Sequence, residues 1–297
     1  MKKRWILNLM MLALVAGLVT FMYLRPKAEV EAKPNYEVSQ LKLAGITAVK
    51  AEFPAKAPVV FDKVDGYWHM NAPYKLRADQ LSVQRILSVV AATSENKFPA
   101  TNLAKFDLDQ PLVKLTMANE HGDDRFTYGA YNTVTGEQYV AYADSVYLLS
   151  VGYSEAAATQ PIEMVDKNIL SPDEIKQMTG FDFAQLEQWE ETRLNVDVEK
   201  GHWKTNIAKA KHTQNEMNEW LEFSWRQNPA KSVELYTPDR NTTYPSFKVK
   251  LANGKTVLID KHMESPELLL ARPDEGLIYH FSNDVGFTML NPPLNLQ

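Results

Sequence analysis

Cysteine is absent from this chain of 297 residues. That absence excludes disulfides, thiol nucleophiles, zinc–thiolate sites and iron–sulfur clusters together. Glycine is scarce, at 12 residues, and dispersed. No Gly-x-Gly-x-x-Gly and no Walker loop occurs, and Gly129, Gly136 and Gly152 stand too far apart to cradle phosphates. The six histidines are His69, His121, His202, His212, His262 and His280. None forms a His-x3-His pair or a His-Glu-x-x-His motif, so the signature of a zinc hydrolase is missing. Serine lacks the Gly-x-Ser-x-Gly elbow and the motifs that accompany a Ser-x-x-Lys nucleophile. Positive charge is in deficit, with 32 Lys and Arg against 37 Asp and Glu and a net charge of −5. An acidic body argues against nucleic acid as a partner, because phosphate binding needs a basic face.

What is present begins with one apolar run. Residues 5–24 carry one amide, Asn8, and no charge. Twenty such residues cross about 30 Å of hydrocarbon as a helix. Trp5 and Tyr23 stand at the ends of the run, where amphipathic rings prefer the interface. Lys2, Lys3 and Arg4 precede it, so the N-terminus is expected in the cytoplasm of a bacterium and the body in the periplasm. A cleaved signal peptide has a shorter apolar core and a small-x-small site. Here the run leads into Tyr23-Leu24-Arg25-Pro26, and an uncleaved signal anchor is the better reading. Asn8 and Gly17 are its candidate contacts with neighbouring helices. Residues 25–40, with Pro26 and Pro34, read as a linker.

The rest of the chain reads as duplicated. Gly66-Tyr67-Trp68-His69 resembles Gly201-His202-Trp203-Lys204, each after an alternating segment, which predicts a strand, a tight turn and a Trp-bearing strand. A helix follows each hairpin, with Asp79 as N-cap in one case and the capping box Thr213-Gln214-Asn215-Glu216 in the other. Gln80 pairs with Gln214 in this alignment. The apolar stripe Val83, Ile86, Leu87, Val90 falls on Met217, Trp220, Leu221, Ser224. Strands then match, 112–118 with 247–252, 138–142 with 268–272 and 146–148 with 278–280. Between the copies, residues 161–170 and 171–175 look like short helices, the second capped by Ser171 with Pro172 in its first turn.

The expected fold is therefore α+β: a single N-terminal transmembrane helix followed by two tandem, similar antiparallel-sheet-plus-helix modules. The expected boundaries are a cytoplasmic tail 1–4, the anchor 5–24, the linker 25–40, a first periplasmic module 41–158, a helical connector 159–192 and a second module 193–293.

Several of these pieces carry a resemblance. The Ala78-Asp79 helix start, Phe106-Asp107-Leu108-Asp109-Gln110-Pro111, Val146-Tyr147-Leu148 and Asp166-Lys167-Asn168-Ile169-Leu170 resemble the bacterial domain-of-unknown-function family numbered 4340. That family has Tyr-Gly-Leu-x-x-Pro where this chain has Phe106 to Pro111. Asp107 replaces the glycine, and Asp tolerates a left-handed φ better than most residues. The resemblance implies a membrane-anchored extracytoplasmic protein. Some members resemble accessory components of gliding-type ABC transporters, which implies a partner role. It implies no catalytic residue.

No chemistry emerges from the remaining candidates. His121-Gly122-Asp123-Asp124 reads as a solvated hairpin turn rather than a cation loop. Asp107 and Asp109, the nearest thing to an acid/base pair, sit in a proline-bounded turn. With His121 they would be the first residues to mutate in a hydrolase of unfamiliar design. His69 and His202 both neighbour a repeated Trp, but surface strand positions explain them better than a shared metal. Tyr128, Tyr131 and Asn132 lie in a segment with no counterpart in the other copy and are the candidate interaction surface. The expected function is a non-catalytic, membrane-anchored accessory or scaffold subunit of a membrane complex, with an ABC-type export system as the candidate. Its partners would be integral membrane subunits and the lipid bilayer around residues 5–24, with no nucleic acid and no cofactor. The alternative is a periplasmic glycan- or peptide-binding module with its site between the two repeats.

Overall fold

The computed structural model describes residues 2–24, 34–239 and 241–296, with the side chains of 2–4, 7 and 8 left outside the description. Helix α1 (Lys2–Leu24) turns its described apolar side chains outward along its whole length. Among the described residues no helix is long and apolar enough to cross a membrane. The continuous stretch of described side chains in α1 is 9–24, shorter than the roughly 20 residues a span requires.

Alternation of apolar and polar residues builds two large antiparallel sheets. The first half of the chain forms β1 (Tyr36–Glu37), β2 (Ala48–Phe53), β3 (Lys56–Val64), β4 (Tyr67–Ala72) and β5 (Leu76–Arg77). Helix α2 (Gln80–Leu87), β6 (Thr93–Ser94), β7 (Lys97–Pro99), β8 (Val113–Asn119) and β9 (Gly122–Asn132) follow. β10 (Glu137–Tyr142), β11 (Ser145–Ser150) and α3 (Gly152–Ala158) complete it. After α4 (Pro172–Gln177) come β12 (Met178–Asp182), β13 (Asn195–Glu199), β14 (His202–Thr205) and α5 (Gln214–Leu221). The last run is β15 (Ser232–Leu235), β16 (Ser246–Leu251), β17 (Thr256–Met263), β18 (Glu267–Arg272), β19 (Leu277–Ser282) and α6 (Asn283–Leu290).

The first sheet has the order β5-β4-β3-β2-β8-β9-β10-β11-β7. The second has the order β14-β13-β12-β16-β17-β18-β19-β15. In each, a meander leads to a helix, of four strands (β2–β5) in the first sheet and three (β12–β14) in the second; an edge strand is then laid at the far end, and a four-strand meander fills the middle. β1 and β6 form a separate two-stranded ribbon. The strand β12 begins inside the segment expected as a helical connector. Gly180 there runs at φ +154 against Val196 O, and Phe181 and Phe183 are both buried. Phe181, Asp182 and Phe183 alternate, but over three residues only, too short a run for periodicity to announce a strand.

Local chemistry explains the helix starts and hairpins. Asp79 caps α2 by accepting from Leu81 N–H. Ser171 and Thr213 each form a capping box, with Glu174 and Glu216. Asp65-Gly66 and Lys200-Gly201 both have two positive φ angles, the backbone of a two-residue turn that matches strand twist. All eight stripe residues on the helices, Val83, Ile86, Leu87, Val90, Met217, Trp220, Leu221 and Ser224, are buried. One apolar core runs through both sheets and their helices.

A smaller cluster lies on the opposite face of the first sheet. Tyr139 and Ala141 pack there with Phe106, Leu108 and Val146, whereas the intervening Val140 faces the main core. Asp107 does adopt the left-handed conformation, φ 53, at the end of the turn that delivers Phe106. Gly129 allows this crossing, since a Cβ there would run into Phe106 O.

The two paired glutamines make the same contact twice. Trp68 N–H donates to Gln80 Oε1 at 2.9 Å, and Gln80 Nε2 donates back to Trp68 O at 3.1 Å. Trp203 and Gln214 repeat this at 2.6 and 2.9 Å. Each glutamine ties the first turn of a helix to the strand beneath it. Gln80→Ala and Gln214→Ala should each cost about 1–3 kcal/mol, the penalty for stranding buried backbone groups. Gln84→Ala, exposed one turn on, should leave the urea midpoint unchanged.

Candidate functional site

Where the two sheets meet, a short stretch of backbone comes first. Arg77 closes β5, and residues 77–79 run beside 164–166. Asp79 N–H donates to Met164 O at 2.8 Å and Asp166 N–H to Arg77 O at 2.9 Å. This pairing aims the Arg77 side chain into the junction. Its guanidinium donates to Asp166, to Asn168 O at 2.7 Å, to both oxygens of Glu275 at 2.9 and 3.2 Å, and to the Tyr279 hydroxyl at 3.1 Å.

Arg272 closes β18 on the other side, and its side chain is 2% exposed. It donates to Ile169 O at 2.7 Å, to both oxygens of Glu174 at 2.9 and 3.2 Å, and to both oxygens of Asp274 at 2.9 and 2.8 Å. The turn 272–276, closed by Gly276 N–H donating to Arg272 O, presents Asp274 and Glu275. Tyr279 donates its hydroxyl to Glu275 at 2.6 Å. Glu174 caps α4 and clasps Arg272 with the same carboxylate.

Two cations and four carboxylates are thus gathered at one junction. Burial alone would push both guanidinium groups down. Pairing with Glu275 and Asp166 for Arg77, and with Asp274, Glu275 and Glu174 for Arg272, raises both above the ordinary value. Burial likewise pushes the Glu174 and Asp274 carboxyls up, and Arg272 overrides it and holds both below the usual range. Burial and Glu275 drive the Tyr279 phenol well above its ordinary value, so it stays a neutral donor. Each guanidinium nitrogen is committed, so the cluster acts as a clasp.

Open space remains on either side of the clasp. One cavity of about 450 Å³ lies among α2, α3, residues 162–167 and the start of β15. Another, of about 390 Å³, lies between β4–β5 and the 274–275 turn. Among the described residues neither lining includes Phe, Tyr or Trp. The tryptophans of the body, Trp68, Trp189, Trp203, Trp220 and Trp225, are buried in the core.

The residues singled out in the sequence lie elsewhere. Tyr128 is a correction: it is fully buried on the core face of β9, so it contributes nothing to an exposed surface. Its hydroxyl has no hydrogen-bond partner among the described residues, and burial pushes the phenol well above its ordinary value. Tyr131 is 53% exposed. Asn132 caps the next turn, accepting from Val134 N–H at 2.9 Å and donating to the Tyr139 hydroxyl at 3.2 Å. Gly17 stands in open space on α1, and the Asn8 side chain lies outside the described residues.

His121 sits at the β8–β9 turn, and Asp107 and Asp109 lie beyond Gly129, the length of most of β9 away, roughly 20 Å at strand rise. The three are not brought together. His69 lines the smaller cavity, and His202 is exposed on the edge strand β14. Among the described residues no group of His, Cys, Asp and Glu is arranged to hold a metal ion. Sequence reasoning does not reach the clasp residues, because Arg77 and Arg272 are far apart along the chain. Only the Asp166-to-Leu170 stretch gives a signal.

Removing one partner of a buried, hydrogen-bonded ion group strands the other. Arg272→Ala should cost about 3–5 kcal/mol in denaturant unfolding. Glu174 and Asp274 are held below their ordinary values of 4.5 and 3.8. Their stabilisation is therefore fully present above those values and drains as pH falls through the lower folded-state values. A urea midpoint followed from pH 7 to pH 3 should drop in the acid range, and Arg272→Ala should flatten that drop.

No curated protein and no solved structure matches the chain. A family model described as Domain of unknown function (DUF4340) matches residues 68–233, from the Trp of β4 to the start of β15 and so across the junction. With more than half of its length matched, the chain belongs to the DUF4340 family.

Proposed function

We propose that this chain is a membrane-anchored periplasmic accessory or scaffold subunit of a membrane protein complex, with an ABC-type export system as the candidate. The observation that carries the reading is the outward apolar surface of α1. Trp5, Leu9, Leu14, Leu18 and Phe21 are all exposed, and a helix apolar on every side is stable only in lipid or against a partner. The uncharged run 5–24, preceded by Lys2, Lys3 and Arg4, supports an uncleaved anchor with a cytoplasmic N-terminus.

The body is proposed to be two copies of one module in tandem. Three features support this: a strand succession that matches apart from the extra edge strand β5, the repeated two-residue turns before Trp68 and Trp203, and the matching Gln80 and Gln214 contacts. The clasp at Arg77 and Arg272 joins the copies into one body on a tether, which suits holding neighbours at a set spacing.

The test is affinity capture of full-length protein from native membranes in mild detergent, followed by mass spectrometry. Stoichiometric recovery of transporter or other complex subunits is expected. Recovery of intact, folded protein alone would sink the accessory role.

A further inference from the structure

We infer that the larger junction cavity is a binding site for a small anionic ligand bearing a carboxylate or phosphate group. This does not depend on the scaffold role, since the cavity belongs to the chain whether or not it sits in a complex. At about 450 Å³ the cavity falls in the size range of small-molecule sites. Its walls come from separate segments: α2 and α3 on one side, residues 162–167 below, and residues 231–233 on the other.

Three cations from three of those segments face it: Arg85, Lys167 and Lys231. Lys231 also reaches Glu267, at 3.3 Å. Arg85 and Lys167 have no carboxylate partner among the described residues, although the chain as a whole carries a net −5. Two carboxylates share the lining, Asp79 and Glu163. Asp79 is already committed, accepting from Leu81 N–H at 3.0 Å and from the Ser82 hydroxyl at 2.8 Å. Glu163 is exposed. The surplus of positive charge is thus local: Lys167 is half-buried in the wall, and Arg85 and Lys231 stand at the exposed rim, where a bound anion relieves like-charge repulsion. Arginine's fork suits the planar oxygens of a carboxylate or phosphate, and a lysine adds a point charge. The apolar floor of Ile162 and Val233 accommodates a short carbon skeleton. Because one wall is α2, which packs against β4 of the first sheet, and the other is the start of β15 of the second, a ligand held between Arg85 and Lys231 stiffens the junction as well as filling it.

The test uses full-length protein in detergent micelles at fixed ionic strength. Inorganic phosphate and succinate serve as the two probes, titrated calorimetrically against a chloride background. Saturable binding of at least one probe is expected. Response to phosphate alone or to succinate alone supports the site and separates the two chemistries. Arg85→Gln and Lys167→Gln should each weaken binding by at least about tenfold, the loss of one charge-assisted contact. Lys255→Gln, exposed on the β16–β17 turn outside the lining, should bind as the natural chain does. Melting without probe, measured for every variant, separates lost binding from lost folding. Hydrogen exchange with probe present should slow in both 80–87 and 232–235. Absence of saturable binding for both probes overturns the inference. So does an equal loss in Lys255→Gln, or exchange that slows in neither segment.

Discussion

Taking two guanidinium groups out of water is the demand around which the middle of this chain is organised. A buried cation costs several kcal/mol unless its donors are all met. Arg77 and Arg272 meet that demand by drawing in groups from three parts of the chain: residues 166–169, the capping residue Glu174, and the turn with Asp274 and Glu275. Glu275 faces both arginines, at 2.9 Å from Arg77 and 3.7 Å from Arg272. Arginine suits the task because its planar fork reads a carboxylate with two parallel bonds and keeps its charge when desolvated. The result is less a gain in stability than a choice of arrangement. Shifting either sheet against the other would strand charge in a low dielectric.

The clasp also shapes the space around it. Rigid salt bridges hold the sheets together along a narrow contact, and the surfaces on either side do not close. The larger of the two cavities is lined by charge because α2 meets it with its solvent side, where Ser82 and Arg85 stand, while Val83, Ile86 and Leu87 face the core. The aromatic residues that could have made a stacking platform are spent on packing. Phe181, Phe183, Trp220, Trp225 and Phe247 pack ring against ring under the second sheet.

Features set by neighbours along the chain are legible from the residues alone. The caps at Asp79, Ser171 and Thr213, the two-residue turns at Gly66 and Gly201, and the left-handed Asp107 all follow from local backbone preference. The buried stripes on α2 and α5 follow from the period of a helix. Tyr128 departs from expectation because a tyrosine in an alternating strand reads the same whether its face meets solvent or a helix. β12 escapes a sequence reading because its alternation, Phe181-Asp182-Phe183, is only three residues long, and its place is set by pairing with β13 and β16.

The α+β composition, the starts of the helices, the hairpins and the apolar run at the N-terminus are written in the order of residues along the chain. Each depends on residues within a turn or a few strand positions of one another. The strand order of the two sheets, the crossing of residues 97–112 over the first sheet, and the clasp with its flanking cavities arise only when the chain is packed. Those depend on pairings between residues as far apart as Arg77 and Glu275. A charged residue's sequence records its charge but not its partner. The partner is chosen by which chain segments the core brings within hydrogen-bond reach once water has been removed.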